Sequence, residues 1–176
     1  MNYKENPLLP FCFLFSCPGS KELKSNKPCA GTTGSNLDKL LDILRTMNPH
    51  ITTPKTRSDL YINNAWPLVE YKKITGRTEA SISDLNQTWN IVRLCDELAH
   101  VKNIIAFGNN AKHVVNIIKS YKPHLITAAS IHISMTSINT SITHDINNQV
   151  ILRGHKHATY KRLEVVASRI IATGLF

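Results

Sequence analysis

The 176-residue chain is 42% hydrophobic and 19% charged, with 21 Lys and Arg against 12 Asp and Glu and a formal charge of +9. That apolar share excludes an intrinsically disordered chain, and the length suits one compact domain, so residues 1–176 read as a single unit. No apolar run approaches the roughly 20 residues that cross a bilayer, and the basic excess favours an anionic partner such as nucleic acid over a membrane. The four cysteines, Cys12, Cys17, Cys29 and Cys95, have irregular spacing and no C-x-x-C pair. They read as free thiols in a reducing compartment, and neither a metal nor another cofactor is expected.

The N-terminal stretch Leu8–Cys17 (LLPFCFLFSC) lacks a strongly basic leader and runs straight into Pro18-Gly19. It is therefore expected to be a buried strand rather than a signal sequence. The protein is expected to be soluble, cytoplasmic and monomeric. The strand itself is placed at Phe11–Ser16. After a polar loop to Gly34, a helix is expected from Ser35, with Ser35 and Asp38 as a capping-box pair and Leu37, Leu40, Leu41 and Leu44 on one buried face.

Asp59–Ala65 reads as the second strand, closed by Trp66-Pro67. Lys72–Ser83 reads as an exposed loop, since it holds Gly76, several charges and no apolar period. A helix is expected from Asp84 to about His100, with Leu85, Trp89, Val92 and Ala99 inward. Asn103–Phe107 reads as a third strand, ended by Gly108, and Asn110–Ser120 as a helix burying Ala111, Val114, Val115 and Ile118. His124–Ala128 is the fourth strand, followed by a loop around His132. His157–Ala172 closes the chain as a basic amphipathic helix with Leu163, Val166, Ala167 and Ile170 inward.

Strands alternating with helices predict an α/β fold: a three-layer αβα sandwich around a central four-stranded, mostly parallel sheet. Ligands bind such sheets at the carboxyl ends of the strands, which points to the segments Ser16–Gly34, Asn63–Pro67 and Ser130–Asn139.

At these segments the residues carry a family resemblance. Phe15-Ser16-Cys17-Pro18-Gly19 is followed by Glu22, by Lys27-Pro28-Cys29-Ala30-Gly31, and by Gly34 leading into Leu37–Leu41. Asp59–Asn64 ends in Asn64, Asn103–Ala111 reads NIIAFGNNA, and His132-Ile133-Ser134 comes after the fourth strand. In that order and spacing the chain, from Phe11 to Asn139, resembles the uracil-DNA glycosylase superfamily, most closely its Gly-Glu-Ala-Pro-Gly branch. The resemblance implies a monofunctional DNA glycosylase that flips a base out of DNA and hydrolyses its N-glycosidic bond to leave an abasic site.

It also assigns roles. His132 becomes the hydrogen-bond donor to the departing base, and Asn64 the reader of the base edge. Pro18, Gly19 and Cys29 surround the base, and Ser16, Cys17 and Glu22 are the groups near the attacking water. Ser134 and Met135–Asn139 would press on the DNA backbone and minor groove. Arg153, Lys156, Lys161 and Arg162 would contact phosphates.

This sequence departs from the branch at four points. Ser16 stands where the branch has its water-activating carboxylate, Cys29 where an aromatic stacks on uracil, and Ile133 where His-Pro-Ser has its proline. The iron–sulfur cysteines have no counterparts. The open position at Cys29 implies a base bulkier than uracil, such as a modified cytosine, and phage-defence glycosylases that attack modified viral bases are known in this superfamily. A competing expectation is a catalytically weak or inactive module that recognises damaged or modified DNA. A nucleotide-binding or small-molecule enzyme is disfavoured, because no G-x-G-x-x-G or Walker-type loop follows a strand.

Overall fold

The structure, a computed structural model, describes residues 11–50 and 54–175, so Leu8–Pro10 of the expected N-terminal strand lie outside the described residues. Four parallel strands, β1 (Phe11–Phe15), β2 (Tyr61–Asn64), β3 (Asn103–Phe107) and β4 (Ile126–Ser130), form one sheet in the order β2-β1-β3-β4. Between and after them run α1 (Ser20–Ser25), α2 (Thr32–Met47), α3 (Lys72–Thr75), α4 (Ile82–Leu85), α5 (Thr88–Glu97), α6 (Asn109–Tyr121), α7 (Met135–Ser141) and α8 (Ala158–Ile171).

Both faces of β1 and β3 are covered, which is why these strands are continuously apolar rather than alternating. Phe13, Phe15, Ile105 and Phe107 pack against α2, α7 and α8. Cys12, Leu14, Ile104 and Ala106 pack against α4, α5 and α6. The result is an α/β three-layer sandwich. On α2 the leucines at 37, 40, 41 and 44 are all fully buried, and each contributes about 2 kcal/mol of apolar burial. The connection leaves β1 toward β2, then returns across to β3. The carboxyl ends of β1 and β3 therefore flank the point where strand order reverses, and there Phe15 stacks on Phe107 with ring centroids 4.9 Å apart.

Several local expectations need correction. Helix α2 starts three residues early, at Thr32, after Gly31 turns the chain with φ 78°; Ser35 lies inside the helix, so no Ser35–Asp38 capping box forms. The segment before β2 curls into a 3-10 turn at Arg57–Asp59, capped by Thr56, which shortens the strand to Tyr61–Asn64. The expected loop 72–83 contains α3 and the start of α4, the latter capped by Ser81, whose Oγ accepts the Asp84 amide.

The single helix expected over 84–100 is two, broken at Asn86-Gln87. This rotates the inward face: Ile91, Leu94 and Leu98 are buried, while Trp89 and Val92 are exposed and Trp89 lies against Trp66. Strand β4 runs two residues later than expected, because its register is set by pairing Asn103–Phe107 with Ile126–Ser130. Among the described residues no helix is long and apolar enough to cross a membrane.

Candidate active site at the carboxyl edge of the sheet

A cavity of about 660 Å³ opens beyond the carboxyl ends of β1 and β3. Its lining comes from three segments. The turn after β1 contributes Ser16, Cys17, Gly19, Glu22 and Cys29, and the loop after β4 with the start of α7 contributes His132, Ser134 and Ser137. A rim that sequence reasoning did not assign contributes Lys72, Thr78 and Glu79.

The turn after β1 is held by Glu22. Its Oε2 accepts the Gly19 amide at 2.7 Å and its Oε1 accepts the Cys29 amide at 2.8 Å, so one carboxylate joins both ends of the turn. Burial raises the Glu22 pKa, and these two amide bonds act against that rise. Cys29 is buried with φ 49°, and its carbonyl accepts Arg57 Nη1 at 2.7 Å. That bond passes directly over Gly34. A Cβ at position 34 would lie 1.5 Å from Arg57 Nη1 and 1.7 Å from the Cys29 oxygen, so only glycine fits.

The backbone continues the sheet past its last residues. Ala65 N–H donates to Phe15 O, Trp66 N–H to Ser16 O, and Glu70 N–H to Pro18 O. The segment Asn63–Pro67 thus supports the cavity floor, and none of its residues lines the cavity.

Ser16 is 3% exposed, and its Oγ has no partner at hydrogen-bond geometry, the adjoining Cys17 thiol being a weak interaction. A buried hydroxyl without a partner costs about 1–3 kcal/mol. Burial pushes the Cys17 thiol up to about 11 and lifts Cys29 well above its ordinary value. Both are therefore neutral thiols near pH 7, not thiolate nucleophiles.

His132 is the most constrained side chain of the site. Its ring meets Phe15 edge-on at 5.8 Å, and its Nδ1 accepts the Ser134 amide at 3.1 Å. An Nδ1 that accepts leaves the proton of the neutral ring on Nε2, and burial lowers the pKa below its ordinary 6.5, which keeps the ring neutral. The arrangement yields a single N–H donor on the ring edge away from Ser134. Gly108 (φ 93°) turns β3 into α6 beneath this ring; a Cβ there would stand 3.2 Å from His132 Cβ. The loop is pinned from the opposite side by Asn36, fully buried on α2, whose Nδ2 donates to Ile133 O at 2.8 Å. Asn36 interrupts the leucine pattern of α2 beside Leu37, and that polar break on an apolar face was its only sequence signal.

The remaining expected site residues are scattered. Asn64 is buried at the end of β2, on the face shared with Ile62, but does not line the cavity. Pro18 is buried behind the turn. Ser134 caps α7 by accepting the Ser137 amide. The apolar wedge expected from Met135–Asn139 is not presented outward: Ile138 is fully buried and Met135 packs on the core, leaving Thr136, Asn139 and Thr140 as the outer surface of α7.

A second depression of about 420 Å³ shares Thr136 with the first and reaches Arg153 and His155. Arg153 and Lys156 are exposed. Arg162 is not available to a phosphate. It is 3% exposed and donates to the carbonyls of Ile142 and Ile151, and Lys161 is bonded to Asp145 at 2.8 Å. No protein-family model matches this chain, and no curated protein matches it either.

Proposed function

We propose that the protein is a DNA glycosylase that draws a flipped base into the cavity and hydrolyses its N-glycosidic bond. The observation that carries this reading is His132, a half-buried neutral imidazole whose tautomer is fixed by the Ser134 amide so that Nε2–H is the free donor. Cleaving an N-glycosidic bond leaves negative charge on the base, and a donor fixed before the reaction stabilises that charge without reorganising. A permanently charged group would bind substrate and product alike; a neutral donor gains most as charge develops.

The rest of the cavity supports the reading. Its volume suits a nucleobase with its sugar, and bulkier bases are accommodated because Cys29 occupies the wall where an aromatic ring would close it. Phe15 and Phe107 give the site an apolar back. Arg153, beside the second depression, and Lys72, on the rim, are the cations that would meet the phosphates flanking a flipped nucleotide. A second reading, a binder without catalysis, is favoured by one observation: the buried position Ser16 is a hydroxyl rather than a carboxylate.

Incubation with DNAs carrying uracil, hydroxymethylcytosine or glucosylated hydroxymethylcytosine, followed by abasic-site detection, separates the two. A glycosylase leaves abasic sites in at least one; a binder shifts the DNA and leaves every base attached.

A further inference from the structure

Hydrolysis at this site needs an acceptor for the proton of water, and a serine hydroxyl at position 16 is too weak a base for that task near neutral pH. Two carboxylates line the cavity, Glu22 and Glu79. Glu22 is committed to the protein: each of its oxygens already accepts a backbone amide, at 2.7 and 2.8 Å, and withdrawing it would release both ends of the turn after β1. Glu79 stands exposed at the mouth, and no salt bridge or side-chain hydrogen bond engages it among the described residues.

The segment that carries Glu79 is fixed on both sides. Arg77 donates to both oxygens of buried Glu70, at 2.9 and 2.6 Å, and to Asp84 at 2.5 Å. Asn110 Nδ2, buried on α6, donates to the Ala80 carbonyl at 3.0 Å. The Cys17 thiol meets the Thr78 carbonyl at 3.8 Å. The residue before Glu79 therefore touches the residue after Ser16, and the backbone around Glu79 is held while its carboxylate stays free. Charge makes the placement informative. An unpaired carboxylate at the mouth of a DNA site repels phosphates, so removing its charge should leave DNA binding unchanged or tighter while a base in the reaction is lost.

We propose that Glu79 is the base that takes the proton from the attacking water. The water oxygen bonds to C1′ as the C1′–N bond breaks. The bonding pair leaves with the base, where His132 Nε2–H meets the new negative charge. The water proton passes to Glu79, which later returns it, directly or through solvent, to the released base. The products are a neutral base and a sugar bearing a 1′-hydroxyl. This assignment rests on the glycosylase reading above.

The test is single-turnover base release by the full chain, its E79Q and E79A variants, and E79A with added azide, an anion that attacks C1′ without needing a base. The substrates are the three modified DNAs named above, with DNA affinity measured alongside. The expected result is a loss of 10²–10⁴-fold in E79Q with DNA affinity unchanged or tighter, and azide restoring release in E79A. Release by E79Q within threefold of the unsubstituted protein overturns the role of Glu79 and leaves the glycosylase reading standing, as does a loss that azide fails to restore. Absence of release by the unsubstituted protein on all three DNAs overturns the glycosylase reading itself.

Discussion

Two concavities on this molecule are of similar size and opposite character. The cavity beyond β1 and β3 holds about 660 Å³, and the groove between α5 and α6 about 800 Å³. The groove is the larger and the more apolar, lined by Ile91, Val92, Cys95, Ile117 and Tyr121. Its two basic side chains are engaged locally: His113 bonds Asn86 at 2.7 Å, and Lys122 donates to the Cys95 carbonyl. The cavity gathers groups that the protein has fixed but not satisfied, namely the Ser16 hydroxyl and the His132 Nε2–H. Volume follows from how helices pack. Reactivity follows from polar groups whose orientation the fold sets and whose partners it withholds.

The sharpest way to break this contrast is to remove the fixed donor. His132→Ala is expected to slow base release by 10²–10³-fold, about 2.7–4 kcal/mol, with DNA affinity changed less than threefold, read by single-turnover kinetics and a binding titration. Next comes the scaffold beneath the turn. Gly34→Ala drives a Cβ into Arg57 and the Cys29 carbonyl and is expected to lower unfolding stability by about 3 kcal/mol or more in chemical denaturation.

A smaller effect follows from the half-buried imidazole. Because the native pKa of His132 lies below its ordinary 6.5, the unfolded chain binds the extra proton first as pH falls. Stability should then decline from about pH 6.5 down to the lowered native value, with a slope of at most about 1.4 kcal/mol per pH unit. His132→Asn should remove that component of the slope; an unchanged pH–stability profile would mean that the ring is not shielded.

Cys29→Phe should narrow the wall and shift preference from a bulky modified base toward uracil by about tenfold, measured as a ratio of release rates. The smallest expected effect belongs to the groove: Val92→Asp should leave base release unchanged and stability within about 0.5 kcal/mol, since Val92 is already exposed.

The layers of this fold were legible because periodicity reports burial directly. The apolar runs of β1 and β3 and the i, i+3, i+4, i+7 leucines of α2 leave few other ways to hide their side chains. The ends of elements were not legible where a tertiary contact decides them. Gly31 starts α2 early, and the Asn86-Gln87 break turns Trp89 and Val92 outward. Within the site, the sequence placed Ser16, Cys17, Gly19, Glu22, Cys29, His132 and Ser134 in one segment set, and all seven line one cavity.

It misjudged Arg162 because a basic run looks solvated until the carbonyls of Ile142 and Ile151 are seen to claim the guanidinium. It missed Glu79 because a charge in an aperiodic loop carries no signal of what lies across from it. Glu70, Asp84 and Asn110, which fix that loop, come from separate parts of the chain.

The central claim, that His132 faces the departing base, is tested most directly by a structure of the protein with DNA carrying a 2′-fluoro nucleotide that resists cleavage. The expected result is the base turned into the cavity, with His132 Nε2 within about 3 Å of a base oxygen and Nδ1 still accepting the Ser134 amide. A base that stays stacked in the DNA, or that enters the cavity with His132 turned away from it, would contradict the account.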